Sequence, residues 1–533
     1  HNVSGLLRIL SFLNNLLPKY MNRMMKFFDK KIYNLNLMHM VERVGNALPH
    51  PAALFGLFAG FTLVFSGVGH WLGWNGIHPA TGELVEVVNL LSKEGLHRIL
   101  LDMVDNYTGF APLGIVMVAM LGIGVAESSG LIRAAINALL IKAPKSSITF
   151  MVVLTGILSN VASDLGYILI IPLAGVIFHS LGRHPIAGMS AAFAGVSGGF
   201  SANLIIGTID PLLAGLSTEA ARILDPDYYV MPTANYYFMA VSTIVIAVTG
   251  TWVTKRFVEP RLGHYSGDVP KEEITDLTSR EKSGLRWAGI TLALFMGVVV
   301  WGLVPDHGFL RGADNQVLHS PVLKGFISFL FILTAACGIV YGYVAGTFKK
   351  HEDVIAGMNH SFKGLVSFLV LVFFAAQFVA WFKWSNLGLL IALKGAAWLQ
   401  AVDMGIIPLV VLFVILSGFI NMFMGSASAK WAIMGPVFIP IFMLLGYSPE
   451  LSQAVFRIGD SVTNIISPMM SFFALIIVYY QKYEPKAGIG TLMATMLPYS
   501  FAFFVVWTAL MIVWIWLALP LGPEAGLFYT TGQ

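Results

Sequence analysis

Residues 425–440 read GSASAKWAIMGPVFIP and lie in the middle of an apolar stretch running from 406 to 446. Such a stretch is too long for one crossing, because a hydrocarbon core about 30 Å thick is spanned by about 20 helical residues. At its centre stand Ser426, Ser428, Lys430 and Trp431. Polar groups at that depth are costly unless they face protein or a wet cavity. The pattern predicts an apolar helix that enters the membrane, breaks and returns. A second stretch, 148–180, is built the same way around LSNVASDLGYILIIP (158–172). Each rises as an apolar helix, breaks at a Ser/Asn/Ala cluster and leaves through an apolar run containing Pro172 or Pro440.

The remaining composition fits this reading. Of 533 residues, 57 % are hydrophobic and 11 % charged, with a mean hydropathy of +0.77; a soluble domain carries about 25 % charged residues. Other apolar segments fall at 51–73, 110–128, 186–206, 232–254, 286–305, 321–346, 364–384, 450–480 and 491–518. The net charge of +4 reflects loops biased toward Lys and Arg, a topology signal rather than a nucleic-acid surface. A single cysteine, Cys337, rules out an internal disulfide and a cysteine metal site. No Gly-x-x-x-x-Gly-Lys-Ser/Thr loop is present to bind ATP. No catalytic triad, carboxylate pair or metal motif suggests an enzyme or a cofactor.

Loop charges orient the chain. The first 45 residues are basic (Arg8, Lys19, Arg23, Lys26, Lys30, Lys31, Arg43) and are expected on the cytoplasmic surface. Arg133, Lys142 and Lys145 then fall inside. If 148–180 crossed, every later basic loop would be inverted; if it re-enters, Lys255, Arg256, Arg261, Lys349 and Lys350 are cytoplasmic, and if 406–446 likewise re-enters from outside, so are Lys482 and Lys486. The expected fold is an all-α polytopic membrane protein with nine transmembrane helices and two re-entrant hairpins. A first helix and external loop cover 46–109. One repeat spans 110–257, a cytoplasmic linker 258–285, two connecting helices 286–363, and a second, inverted repeat 364–518. Residues 519–533 form an external tail.

Each hairpin is followed by a crossing interrupted at its centre: SGGFSANLIIGTIDP (197–211) and RIGDSVTNIISP (457–468). Two hairpin tips and two broken helices meeting near the midplane form the binding site of a secondary transporter. Five ionisable residues stand in these breaks: Asp164, Asp210, Lys430, Arg457 and Asp460. Their net charge of −1 would be neutralised by one bound H⁺ or Na⁺. Asp210 follows an unwound Gly-Thr-Ile whose carbonyls are free to ligate a cation, as are those near Asn160 and Ser163. A Na⁺ site near Asn160, Asp164 and Asp210 is therefore an open expectation, and so is a plain helix-capping role for Asp210. Arg457 and Asp460, three residues apart on one helical face, form either a structural staple or an anion-binding pair. Trp431, at a hairpin tip, is expected to stack on an aromatic substrate. Asn160, Asn203, Asn421 and Asn464 are either ligand contacts or interhelical glue.

SNVASDLGYILIIP, SASAKWAIMGPVFIP, GTIDP and FRIGDSVTNIISP, together with the opening VERVGNALPHP (41–51), resemble the p-aminobenzoyl-glutamate transporter (AbgT) family over roughly residues 41–518. The resemblance implies a homodimer embedded in lipid in a bacterial inner membrane, with nine spans and two hairpins per protomer. It also implies transport of p-aminobenzoyl-glutamate or export of sulfonamide antimetabolites. The family's functional positions match Asp210, Asn421, Ser428, Trp431, Pro449, Arg457, Asp460 and Pro468. The N-terminus is expected in the cytoplasm and the C-terminus outside, with no cofactor beyond the coupling ion.

Overall fold

The computed structural model describes residues 49, 51–77, 83–141, 144, 146–162, 166–270, 277–312, 315–317, 320–402, 404–470 and 472–529. Ser163, Asp164 and the basic N-terminal segment lie outside these. Helix α1 (Pro51–Trp71) is followed by an antiparallel pair, β1 (Asn75–Ile77) and β2 (Leu84–Glu86), in which Asn75 faces Glu86. Helices α2 (Lys93–Thr108), α3 (Ala111–Ser128) and α4 (Leu131–Ile141) come next. The α2 segment is a helix, not the plain loop expected between 74 and 109. Its start is capped by Ser92, whose hydroxyl accepts from the Gly95 N–H at 3.1 Å, satisfying a donor the helix itself leaves orphaned.

The first hairpin opens with α5 (Ile148–Leu158), which tightens into a 3₁₀ turn at Ser159–Ala162. The chain returns through a π-helical turn (Gly166–Ile170) and α6 (Ile171–Ser180). Helix α7 (Pro185–Phe193) ends in another π turn (Ala194–Gly198), residues 199–208 leave helical geometry, and α8 (Ile209–Ala221) and α9 (Tyr236–Val253) follow. Helices α10 (Ser279–Leu303) and α11 (Phe326–Ala345) connect the halves. Next come the long α12 (His351–Trp384) and α13 (Leu387–Ala401), the latter not anticipated from sequence. The second repeat has α14 (Ile406–Asn421), a break, and α15 (Ala427–Leu444). It continues with α16 (Pro449–Asn464), a break across Pro468, α17 (Phe473–Gln481) and α18 (Ile489–Trp516). Ser426 caps α15 and Ser448 caps α16, where Pro449 occupies the first turn and needs no N–H partner.

Among the described residues, eight helical stretches are long and apolar enough to span a bilayer. Seven coincide with uninterrupted crossings expected from the sequence; the eighth is α15. The other two expected crossings are the interrupted pairs α7–α8 and α16–α17. Apolar side chains of α1 (Phe61, Phe65, Trp71) and α10 (Trp287, Leu294, Trp301) point outward, as a lipid-facing surface requires.

The two halves repeat one close contact. A Cβ on Gly195 would lie 2.3 Å from the Val153 carbonyl oxygen of α5, and one on Gly459 would lie 2.3 Å from the Val414 carbonyl oxygen of α14. In each half the entering hairpin arm therefore touches the interrupted crossing backbone to backbone, an approach only glycine permits. The second part of each interrupted crossing then packs on the opposite half. Helix α8 lies against α15. Beside α17, Phe472 stacks on Tyr167 at 4.5 Å, and Tyr480 meets Ser190 hydroxyl to hydroxyl at 2.5 Å.

Candidate substrate and ion site

The breaks converge on two ion pairs. Arg457 Nη2 donates to Asp210 Oδ1 at 2.5 Å, joining α16 to the first turn of α8. Asp210 Oδ2 accepts from the Gly207 N–H at 2.7 Å. Lys430 pairs with Asp460 through Oδ1. All four residues are 3 % exposed or less. Arg457 and Asp460 thus share a helical face without stapling to each other. Each takes a partner from another element, and the described cluster is neutral. Charges so buried hold only while paired, since removing one partner strands the other.

Asn421 organises the second pair. Its Oδ1 accepts from Lys430 Nζ, while its amide nitrogen contacts the Asp460 carbonyl, Thr463 Oγ1 and Asn464 Oδ1, each at 2.8 Å. Ser467 Oγ donates to the Asn421 carbonyl at 2.9 Å. This clasp satisfies backbone groups freed where α14 and α16 end, the condition for unwinding a helix in a membrane.

Trp431 is fully buried. Its ring stacks on Phe456 at 4.5 Å and its Nε1 donates to Ser217 Oγ at 2.9 Å. The expected aromatic platform is therefore covered in this conformation. Ser428, in the first turn of α15, has its hydroxyl 3.2 Å from that of Ser426. Pro468 lies in the break after α16. Pro449 sits at the other end of that helix, about 12 Å from Arg457 at 1.5 Å rise per residue.

On the opposite hairpin, Asn160 Nδ2 donates to the Ile157 carbonyl at 3.1 Å, while its buried Oδ1 accepts no hydrogen bond. The Gly207 backbone lies against Asn160, where an added Cβ would be 3.1 Å from the Asn160 carbonyl oxygen. Asn160, Gly207 and Asp210 are thus neighbours. An orphaned acceptor beside a carboxylate suits a hard cation, yet both Asp210 oxygens are engaged, so a cation there competes with Arg457. No group of three or more His, Cys, Asp or Glu suited to a metal occurs among the described residues. Asn203 Oδ1 accepts from the Leu204 and Ile205 N–H groups at 2.9 and 3.3 Å, so it shapes the break.

Several functional-looking residues escaped the sequence reading. Ser217 Oγ donates to Gln453 Oε1 at 2.6 Å, and Gln453 Nε2 donates to Asn235 Oδ1 at 2.9 Å. No signal set them apart in the sequence, since Ser217 stands beside Thr218 and Glu219 in α8, and Gln453 among Glu450, Ser452, Arg457 and Asp460 in α16.

Helical breaks meeting on paired buried charges, inside a bundle of membrane-length helices, define a multi-pass transporter. The chain belongs to the AbgT putative transporter family, whose model matches residues 36–529. It is 38 % identical over 484 residues to the p-aminobenzoyl-glutamate transport protein of Escherichia coli (strain K12), covering 91 % of this chain and 95 % of that one. The fold matches the Alcanivorax borkumensis YdaH transporter, described as having an unusual topology, with a TM-score of 0.85 at 46 % identity. That match covers 89 % of this chain and 100 % of the other. It also matches Neisseria gonorrhoeae MtrF, described as illuminating a class of antimetabolite efflux pumps, with a TM-score of 0.87 at 49 % identity. Here 92 % and 100 % of the two chains are covered. These relatives are transport proteins and pumps, not enzymes.

Proposed function

We propose that this chain is an ion-coupled secondary transporter that exports sulfonamide-like antimetabolites, moves p-aminobenzoyl-glutamate, or does both, across a bacterial inner membrane. The observation that carries the reading is the buried Asp210–Arg457 pair, which joins the interrupted crossing of one half to that of the other. A coupling H⁺ or Na⁺ at Asp210 weakens its hold on Arg457. The guanidinium, whose Nε is buried without a hydrogen-bond partner, is then available to a substrate carboxylate. A planar fork suits that group and a lysine would not reproduce it. Lys430 and Asp460 stay paired and hold the second hairpin. Ser163 and Asp164 complete the proposed ion site with Asn160, Ser428 and Pro468 border the substrate, and Trp431 stacks on its aromatic ring once freed from Phe456. The working unit is a homodimer with its N-terminus cytoplasmic and its C-terminus external.

Export is the leading direction, supported by the likeness to MtrF; the E. coli relative's name supports movement of p-aminobenzoyl-glutamate, including Na⁺-coupled import. The test is transport by purified protein in proteoliposomes under an imposed pH or Na⁺ gradient, with labelled p-aminobenzoyl-glutamate and a sulfonamide. Accumulation should follow one of the two gradients and disappear when it is collapsed. Equilibration without accumulation under either gradient would make the protein a passive carrier and overturn the coupling.

A further inference from the structure

Glu450 lies in the first turn of α16 and is 5 % exposed. Among the described residues no lysine, arginine or histidine pairs with it. Its side-chain Oε2 accepts from the Tyr228 hydroxyl at 2.9 Å, and its main-chain oxygen accepts from Asn235 Nδ2 at 2.9 Å. Tyr228 and Asn235 both belong to the connection between α8 and α9. That connection therefore grips the start of α16 at two points, one of which is an ionisable carboxyl.

From Asn235 a line of buried polar groups runs to the second hairpin, and its sense is fixed by chemistry. The Trp431 indole N–H can only donate, and it donates to Ser217. Ser217 donates its own hydroxyl hydrogen bond to Gln453 Oε1, which turns the Gln453 NH₂ toward Asn235 Oδ1 and the Asn235 NH₂ toward the Glu450 main-chain oxygen. The other ionisable groups at the Glu450 end are few. Burial, then the neighbouring Glu450, pushes the Tyr228 phenol well above its ordinary value, so it remains the donor. Behind it the Tyr529 hydroxyl donates to Asp225 at 3.0 Å. Arg222 donates to the Tyr228 carbonyl at 3.2 Å and pairs with Glu219.

We propose that Glu450 is a proton-binding site whose occupancy is transmitted to Trp431 through Asn235, Gln453 and Ser217. Burying a negative charge that has hydrogen bonds but no cation beside it is costly, and a proton is the smallest species that removes it. The proton comes from water and returns to it, the carboxylate changes from −1 to neutral, and no other covalent bond changes. On protonation the Tyr228 contact passes from a charge-assisted hydrogen bond to a weaker neutral one. The connection loosens, Asn235 moves with it, and the indole loses the partner that holds it against Phe456. The proposal rests on Trp431 belonging to the substrate site.

The test uses the purified full chain in lipid nanodiscs. Infrared difference spectra across a pH titration should show a protonated-carboxyl component that is lost in Glu450→Gln and kept in Asp210→Asn. Tyr228→Phe should move its midpoint to higher pH, because it removes a donor that favours the ionised carboxyl; a purely structural role would leave the midpoint unmoved. Wild-type affinity for p-aminobenzoyl-glutamate, whose own carboxylates stay ionised, should change by about fivefold or more between mildly acidic and mildly alkaline buffer. Gln453→Leu should keep the infrared band and lose this dependence. A Glu450→Gln spectrum that keeps every wild-type carboxyl component overturns the proton site, and a Gln453→Leu variant with wild-type pH dependence overturns the relay. If the wild type binds no p-aminobenzoyl-glutamate at any pH, the substrate reading fails, while the infrared band still decides the proton site.

Discussion

Asp210 spends one oxygen on Arg457 and the other on the Gly207 N–H, so neutralising it touches both stability and coupling. Breaking a buried ion pair costs about 3–5 kcal/mol because the surviving charge is stranded. Asp210→Asn should therefore unfold at a clearly lower temperature in detergent, besides losing gradient-driven accumulation. The double variant Asp210→Asn/Arg457→Gln should recover most of the stability and none of the coupling; a single variant as stable as wild type would mean the pair carries no weight. Trp431 gives a second residue-scale test. Trp431→Phe keeps a ring on Phe456 but loses the bond to Ser217, a cost of about 1 kcal/mol, and should retain part of the affinity for aromatic ligands. Trp431→Ala opens a cavity costing about 3–5 kcal/mol and should weaken both p-aminobenzoyl-glutamate and a sulfonamide in binding titrations. The identities of these residues were legible in the sequence, because a charge or an indole inside an apolar run has few other reasons to be there. Their partners were not. Arg457 and Asp460 suggested either a local staple or an anion-binding pair, while their partners, Asp210 and Lys430, come from elements that only the fold brings near.

At the scale of elements, the breaks were readable and the close packing was not. Small and polar residues in the middle of 148–180 and 406–446 announced the interruptions, and the π and 3₁₀ turns stand where those residues cluster. Helix α2 was missed because Lys93, Glu94, Arg98, Asp102 and Asp105 make its sequence look like loop. Helix α13, at 15 residues, is too short to stand out as a crossing. The glycine contacts are visible only in three dimensions, among many glycines of lesser consequence. Gly195→Ala and Gly459→Ala should each cost about 1–3 kcal/mol through overpacking and slow transport, because the hairpin arm must move away from its crossing. Gly114→Ala, where nothing lies within 4 Å of the added Cβ, is the control. Thermal unfolding in one detergent compares the three, and equal midpoints for all would remove the seam as a constraint.

For the whole molecule the charge pattern makes a sided prediction. In a Cys337→Ala background, cysteines replacing the exposed Ser146 and Lys255 should react with an impermeant thiol reagent from one side of the membrane. A cysteine at Asp227 should react from the other side. Labelling of 146 and 255 from opposite sides would mean that the first hairpin crosses rather than returns. Seven of the eight long helices and the two interrupted crossings could be read from sequence. How the halves engage could not, since it depends on contacts between residues more than 200 positions apart, such as Tyr480 with Ser190 and Trp431 with Ser217. That engagement bears on ancestry. Each half lends the last part of its interrupted crossing to the other's hairpin, so one half alone has neither a covered hairpin nor a complete set of charges. A half-length ancestor would have worked only as a pair of identical chains, each finishing the other.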